Sequence, residues 1–347
     1  MPRIRHCPCV LLLGVTTLAA CQGKPQAPRE AMQTPAYVKA VALLKTQSRS
    51  PDPIVRANCI EALQMSRDPR ALDVIEQGLH DEQWVVRFAA AMASGKRQAH
   101  AVLPTLETMA TSDPDSSVRV AAIYALKRMG RTSHMNDLPR YLSSRDPAVR
   151  ANTAYVLGML GDPSAIPLLE SARNDPDIRV RTELTSALAR LGDTEAQQIV
   201  AGWAVNKFAE DEYSAMVVCG DLPPNIAESP LILGLEPAPG KLPPDAEGVQ
   251  ELITRRQLIA ARSLAKLRNG SGAKVAIDNL KNPDPSLRAL ALLALGEMLT
   301  PAQVPGIETY LDDPNEGVRR AAAAAIVEVF VRPTTPFQPA VLPGENK

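Results

Sequence analysis

Apolar and polar positions along this chain repeat in a long beat. Phrases such as "DPDSSVR" (113–119) and "DPDIRVR" (175–181) end in an arginine that serves as a ruler. Arg56, Arg87, Arg119, Arg150 and Arg181 stand 31, 32, 31 and 31 residues apart, and Arg288 and Arg319 again 31. An apolar residue precedes each ruler position: Val55, Val86, Val118, Val149, Val180, Leu287 and Val318. Three residues on, the side chain is usually small, as at Ala90, Ala122, Thr153, Ala260, Ala291 and Ala322. Seven on stand Leu63, Leu126, Leu157, Leu188, Leu264, Leu295 and Ile326. Those offsets draw one apolar stripe down one helix face. Cys59 falls on the small position and reads as a buried small hydrophobe. A second, shorter apolar run follows each stripe, as in "AVLPTLETMA" (101–110) and "SAIPLLESAR" (164–173). Each period is therefore a helix pair, and the sustained repeat predicts a stacked array.

The turn chemistry agrees with this division. An aspartate before proline is able to cap a helix N-terminus, and proline fits the first helical turn, where a missing N–H costs little. On that reading Pro53, Pro114, Pro147, Pro176 and Pro314 start helices, which reconciles 31 prolines with a helical chain. Gly130, Gly161 and Gly192 are placed for left-handed C-terminal caps.

The beat is interrupted. "AYVKAVALLKTQ" (36–47) reads as a lone helix capping the N-terminal end of the stack. Between Arg181 and Gln257 lie 76 residues, one period plus about 45. The excess falls at 208–250 and contains "GDLPPNIAESPLILGLEPAPGKLPPD", whose Pro and Gly content predicts a long loop. Gln257 stands where the ruler arginine is expected and Ser94 where leucine is, so those units are expected to stack less tightly.

The phrase "DPDxxVRxxAAxALG", clearest at 113–126 and 175–192, resembles the HEAT-like repeat family, in the short form named after phycobiliprotein lyases. The resemblance covers about 35–207 and 251–331. It implies an all-α, right-handed α-solenoid of about seven to eight helix pairs. It also implies an Asp–Arg ladder between neighbouring pairs, with the second helices lining the concave face. The ladder set is Asp52, Arg56, Arg87, Asp113, Arg119, Asp146, Arg150, Asp175, Arg181, Arg288, Asp313 and Arg319. The expected organisation is 1–20 signal segment, 21–34 flexible tether, 35–207 first repeat block, 208–250 insert loop, 251–331 second block and 332–347 disordered tail.

The start of the chain is a different kind of sequence. Arg3 and Arg5 precede an apolar run, Cys9 to Ala20, shorter than the roughly 20 residues of a membrane-spanning helix and matching the apolar region of a secretion signal. Leu18-Ala19-Ala20-Cys21 resembles the lipobox of bacterial lipoproteins, which implies cleavage before Cys21 and a lipid on its thiol. Gln22, where aspartate would favour inner-membrane retention, leans the expected address towards the outer membrane, facing the periplasm. Cys7 and Cys9 leave with the signal; Cys59 and Cys219 remain, without a pairing the sequence dictates.

Charge and chemistry narrow the function classes. The 38 basic and 38 acidic residues cancel, and a nucleic-acid binder would show a basic excess. His80, His100 and His134 are neither followed by Glu nor paired at helical spacing, so the di-iron site of deoxyhypusine-hydroxylase-type helical repeats is not expected, nor any other metal or cofactor. "NGSGAK" (269–274) reads as an inter-helix turn, because it lacks phosphate-loop spacing. No Ser-His-Asp arrangement is visible, and the chain is not expected to be an enzyme. In a sequence with 3% aromatic residues, Trp203, Phe208 and Tyr213 lie close together. They either anchor a protein partner or pack the fifth pair against the insert. The expected function is a membrane-anchored scaffold or assembly factor for a protein partner. The competing expectation is an enzyme or ligand carrier with a site formed by 208–250 over the concave face.

Overall fold

The computed structural model describes residues 31–66, 68–206, 212–236 and 247–332. Cys21, Phe208 and most of the tether lie outside the described residues, as does the tail beyond Arg332. Within them the chain is all-helical. The first half comprises α1 (Pro35–Gln47), α2 (Pro53–Leu63), α3 (Pro69–Gly78), α4 (Trp84–Arg97), α5 (Leu103–Ser112), α6 (Ser116–Arg128), α7 (Leu138–Leu142), α8 (Pro147–Leu160) and α9 (Ile166–Ser171). The second comprises α10 (Ile178–Arg190), α11 (Thr194–Trp203), α12 (Glu212–Cys219), α13 (Pro224–Gly234), α14 (Glu247–Lys266), α15 (Ala273–Asp278), α16 (Pro285–Gly296), α17 (Pro305–Glu308) and α18 (Glu316–Val331).

Most even-numbered helices carry the ruler phrase, and consecutive ones pack side by side; odd-numbered helices wedge between them from outside. The chain closes on itself. α1 lies between α18 and α2 as α3 lies between α2 and α4, and α18 also touches α2. Tyr37 on α1 is fully buried, meets the Phe330 ring edge-on at 5.5 Å and shares a 2.6 Å hydrogen bond with Ser66. Lys39 pairs with Asp312 at 2.6 Å, and Arg320 donates to Gln47 Oε1 at 3.2 Å. The lone N-terminal helix is thus the outer helix of a joint between the two ends, because its buried face (Ala36, Tyr37, Ala40, Val41, Leu44) packs against α18 as well as against α2 and α3. The array is the expected α-solenoid, and its two ends meet so that it closes into a ring.

The insert also differs from expectation. Residues 212–219 and 224–234 are the helices α12 and α13, stacked between α10, α11 and α14. The ring therefore has nine outer–inner pairs among the described residues. Prolines hid this unit: Pro224 sits in the first turn of α13 and Pro230 within it, a composition that reads as loop.

Helix starts come in two registers. Asp52, Asp146 and Asp284 cap α2, α8 and α16, with Pro53, Pro147 and Pro285 in the first turn, as expected for the first two. In the "DPD" and "DPN" phrases the cap is the residue after proline. Asp115, Asp177 and Asn315 accept the first amides of α6, α10 and α18, so Pro114, Pro176 and Pro314 lie ahead of the helix. The first aspartate is thereby released for the preceding repeat.

That release builds the ladder. Arg87 chelates Asp113 (2.8 and 2.9 Å), Arg150 chelates Asp175 (2.6 and 2.8 Å) and Arg288 contacts Asp313 (3.3 and 3.1 Å). Arg56 uses Asp81, at 2.8 Å twice, a carboxylate that sequence reading missed because no proline follows it. Asp52 and Asp146 serve as caps instead. Each of these arginines also donates to carbonyls five and six residues earlier, as Arg150 does to Arg145 and Ser144. Arg119, Arg181 and Arg319 keep that carbonyl contact, to Asp113, Asp175 and Asp313 respectively. Arg56, Arg87, Arg150 and Arg288 are thus matched in the bidentate geometry that suits guanidinium and carboxylate, whereas Arg119, Arg181 and Arg319 of the expected ladder meet no such carboxylate partner in the next repeat. Gln257 instead donates to the Leu235 carbonyl at 2.8 Å.

Glycine sets the spacing of three inner pairs. A Cβ on Gly95, Gly158 or Gly296 would fall 2.7–2.8 Å from the Cα of Ala125, Ala187 or Ala325 on the next inner helix. Gly130, Gly161 and Gly192 hold φ of 82°, 68° and 96°, the left-handed caps expected. Cys59 and Cys219 are buried free thiols, each pushed up to about 12 by burial, which makes them poor nucleophiles.

Candidate functional site

Ring closure turns the inner faces of the even helices towards one another, so the long ruler helices, rather than the short second ones, line the interior. The lining positions fall five and nine residues after each ruler position, one turn apart on a single face. They include Glu61, Tyr124, Tyr155 and Arg262 at the first offset, and Lys96, Arg128, Arg190, Lys266, Glu297 and Glu328 at the second. Lys96 on α4 feels the charges of Glu61, Asp221, Lys266 and Arg190, which come from α2, the turn after α12, α14 and α10. Side chains so distant in sequence interact because they share one lumen.

The lumen is an ion-pair network. Arg190 lies 3.3 Å from Asp221 and 3.6 Å from Glu183, Lys266 3.7 Å from Asp221, and Arg262 3.5 Å from Glu297. The Arg190 guanidinium also sits 5.8 Å from the centre of the Tyr155 ring. Burial is the leading cause of the shifts here, since removing charge from water favours the neutral form. It pulls Lys96 below the usual lysine range and raises Glu183 and Tyr155. Tyr124 rises to about 12 for the same reason. Burial, then the neighbouring Glu297, push Glu328 up to about 7.

Charge is unevenly placed around the lumen. At the second offset α4, α6, α10 and α14 present Lys96, Arg128, Arg190 and Lys266, while α16 and α18 present Glu297 and Glu328. Beside the seam, α2, α14, α16 and α18 border a small open recess with Glu61, Arg262, Glu297 and Glu328 among its lining. Among the described residues, no group of three or more His, Cys, Asp and Glu side chains is disposed to hold a metal ion. The lumen residues went unseen in the sequence because the offsets of three and seven, which mark packing, drew attention first. The available signal was charged and aromatic residues recurring at five and nine on otherwise apolar helices.

A second feature lies on the rim. Exposed large apolar side chains gather on neighbouring elements of the sixth and seventh pairs: Val205 after α11, Ile232 and Leu233 on α13, Val249 and Leu252 on α14. These elements are tied together. Tyr213 donates to the Leu252 carbonyl at 3.2 Å, and Arg256 to the Glu236 carbonyl at 2.9 Å. Trp203 is half-buried and packs on the core. Tyr213 fastens α12 to α14. The structure thus places both described aromatics at the foundation of this edge.

A closed ring of helix pairs carrying an Asp–Arg ladder defines a class of α-solenoid. HEAT repeats match residues 40–127, 109–189, 137–211 and 255–328, and the chain belongs to that family. No curated protein matches the sequence. Among solved structures the chain is similar to human deoxyhypusine hydroxylase in complex with glycerol, at 17% identity and a TM-score of 0.33, covering 84% of this chain and 97% of that one. It is also similar to the complex of CpcE and CpcF of phycocyanin lyase from Nostoc sp. PCC7120, at 18% identity and a TM-score of 0.38, covering 74% and 94%.

Proposed function

We propose that this HEAT-repeat ring is a lipid-anchored scaffold or assembly factor in the bacterial envelope, held by a lipid on Cys21 and facing the periplasm from the outer membrane. Its protein partner seats on the edge formed by α11, α13 and α14. The observation that carries this reading is the exposure of Val205, Ile232, Leu233, Val249 and Leu252 on the contacting elements α11, α13 and α14 and the turn after α11. Exposed apolar side chains so grouped mark interaction surfaces on soluble folds. Closure supports the choice of an outer edge, because the inner faces of the helices are spent on one another and on the ion-pair network.

The experiment uses the processed chain with Cys21→Ser, immobilised and exposed to envelope extract, beside an Ile232→Asp/Leu252→Asp variant. The expected result is a stoichiometric partner captured by the parent and lost by the variant. Equal capture by both, or capture by neither, would overturn the docking edge. Anchoring is read separately: growth with radiolabelled palmitate should label the wild-type chain and not Cys21→Ser.

A further inference from the structure

The ring has two unlike ends. Every inner helix begins at the ladder, so its C-terminus lies at the opposite end, where the outer helices start. Three turns at that opposite end are basic. Residues 95–106, 126–136 and 264–277 contain no Asp or Glu, and besides the lumen lysines they carry Arg97, Lys127, Arg128, Arg131, Arg268 and Lys274. Arg128 and Arg131 are exposed, and neither pairs with a carboxylate among the described residues. Lys127 meets Asp162 only at 4.0 Å, and Lys274, paired with Asp278, is 84% exposed. A cation in a helix's last turn complements the helix dipole, which accounts for Arg97, Lys127 and Arg128. It does not account for the others. Arg131 lies beyond α6 and Arg268 beyond α14, and Lys274 sits in the first turn of α15, where the dipole disfavours it. The described chain starts at this same end. Tyr37, in the first turn of α1, hydrogen-bonds Ser66 just past α2 and feels the charges of Arg97 and Arg70. Cys21 to Glu30 add ten residues, a reach of at most about 35 Å. The docking edge lies at the other end: Val205 follows α11, Ile232 and Leu233 close α13, and Val249 and Leu252 open α14.

We propose that the end of the ring opposite the ladder seats on a bilayer surface bearing anionic phospholipid headgroups, with the turns after α4, α6 and α14 against the phosphates. The choice of occupant rests on reading Cys21 as lipid-bearing. A lipid there holds these turns close to headgroups, and the tether leaves from the end that carries them. Stable attachment to a bilayer takes two signals, such as an acyl chain together with a polybasic patch. The zero net charge of the chain does not oppose this, because headgroup attraction acts within a Debye length of about 8–10 Å and senses only the near end. Seated so, the ring points the docking edge of α11, α13 and α14 away from the membrane.

The test is co-sedimentation of the processed Cys21→Ser chain at low ionic strength with vesicles of phosphatidylcholine, alone or mixed with phosphatidylglycerol. The chain should bind the mixed vesicles and not the neutral ones, and about 0.5 M salt, with its Debye length of about 4 Å, should release it. Each Lys or Arg beside an anionic bilayer strengthens binding about fivefold, so Arg128→Gln/Arg131→Gln should weaken it about twentyfold. Arg49→Gln/Arg145→Gln removes the same charge from exposed residues at the ladder end and should bind as the parent does. Should the first double variant fail to fold by circular dichroism, Arg131→Gln/Arg268→Gln carries the same expectation. Binding is read without the lipid, so its failure is distinct from a failure of Cys21 to take palmitate. Equal binding to both vesicles, equal loss in the two double variants, or undiminished binding by the folded variant would each overturn the proposal. Failure on vesicles with retention on immobilised polyglutamate would overturn it in favour of an acidic protein.

Discussion

The ladder makes a quantitative claim that the chain itself can control. Arg150 holds Asp175 through two bonds of 2.6 and 2.8 Å and reaches the Ser144 and Arg145 carbonyls at 2.8 and 3.3 Å. The Asp175 side chain is 7% exposed. Arg150→Met removes the cation and leaves that carboxylate buried with one remaining bond, from the Asp177 amide at 2.9 Å. Breaking one partner of a buried pair costs about 3–5 kcal/mol. Arg119 occupies the same place one repeat earlier, but 25 residues further on stands Ser144 rather than an acid. Its bond runs from Nε to the Asp113 carbonyl, so Arg119→Met should cost about 1–2 kcal/mol. The assay is urea unfolding followed by circular dichroism, read as the midpoint shift at unchanged slope. Acid supplies a second reading. The hydrogen bond from Arg150 is the leading cause that lowers the Asp175 carboxyl below its usual 3.8. A lowered carboxyl stabilises the fold above the unfolded-state value and loses that contribution as pH falls through the folded-state value. The gap between parent and Arg150→Met should therefore narrow below about pH 4, whereas the Arg119→Met gap should not. An equal or larger cost for Arg119→Met, with the same acid behaviour, would refute the ladder as the source of this stability.

Other expectations follow from the lumen and the joint. Glu328 has its folded-state value raised from 4.5 to about 7, so its ionisation opposes folding increasingly as pH rises from about 4.5 to 7. Glu328→Gln should add about 2–3 kcal/mol at pH 8 and little at pH 5, measured by denaturation at both pH values; an equal gain at both would contradict the assignment. Gly158→Ala places a Cβ 2.8 Å from the Ala187 Cα, and overpacking of about 1–3 kcal/mol should outweigh the alanine gain in helix propensity of about 1 kcal/mol. Its thermal midpoint should fall, unlike that of Gly202→Ala, where nothing lies within 4 Å. Tyr37→Ala should cost about 3–5 kcal/mol and loosen the ring, seen as an increased radius of gyration in solution scattering. Lys39→Ala, which breaks an exposed pair, should cost under about 1 kcal/mol and leave the radius unchanged.

Much of this architecture is local, and local physics is written in order along the chain. The period of the ruler arginines, the apolar offsets and the capping glycines fixed the helix pairs, because helix faces and turn residues depend on near neighbours. The prolines were half legible. "DP" marks a helix start, but whether the cap is the residue before proline or after it depends on whether the aspartate is claimed by an arginine 25 or 26 residues earlier, as Asp113 is by Arg87. The helices α12 and α13 were illegible, because Pro224 and Pro230 of α13 occupy tolerated positions only once the neighbouring helices α11, α12 and α14 hold them in place.

Closure belongs to the tertiary structure alone. Each repeat adds a rotation too small to read from its residues, and only their sum around the stack brings α1 against α18. Nothing in "AYVKAVALLKTQ" distinguishes an end cap from a joint, since both need one apolar face. The lumen follows from closure. Lys96, Arg190, Asp221 and Lys266 share a site because the ring returns on itself, and their burial and shifted protonation arise from that geometry. Sequence therefore determined the repeat, its ladder arginines and most helix ends, while tertiary structure decided that the stack is a ring with a charged interior, because curvature accumulates over the whole array and no single repeat contains it.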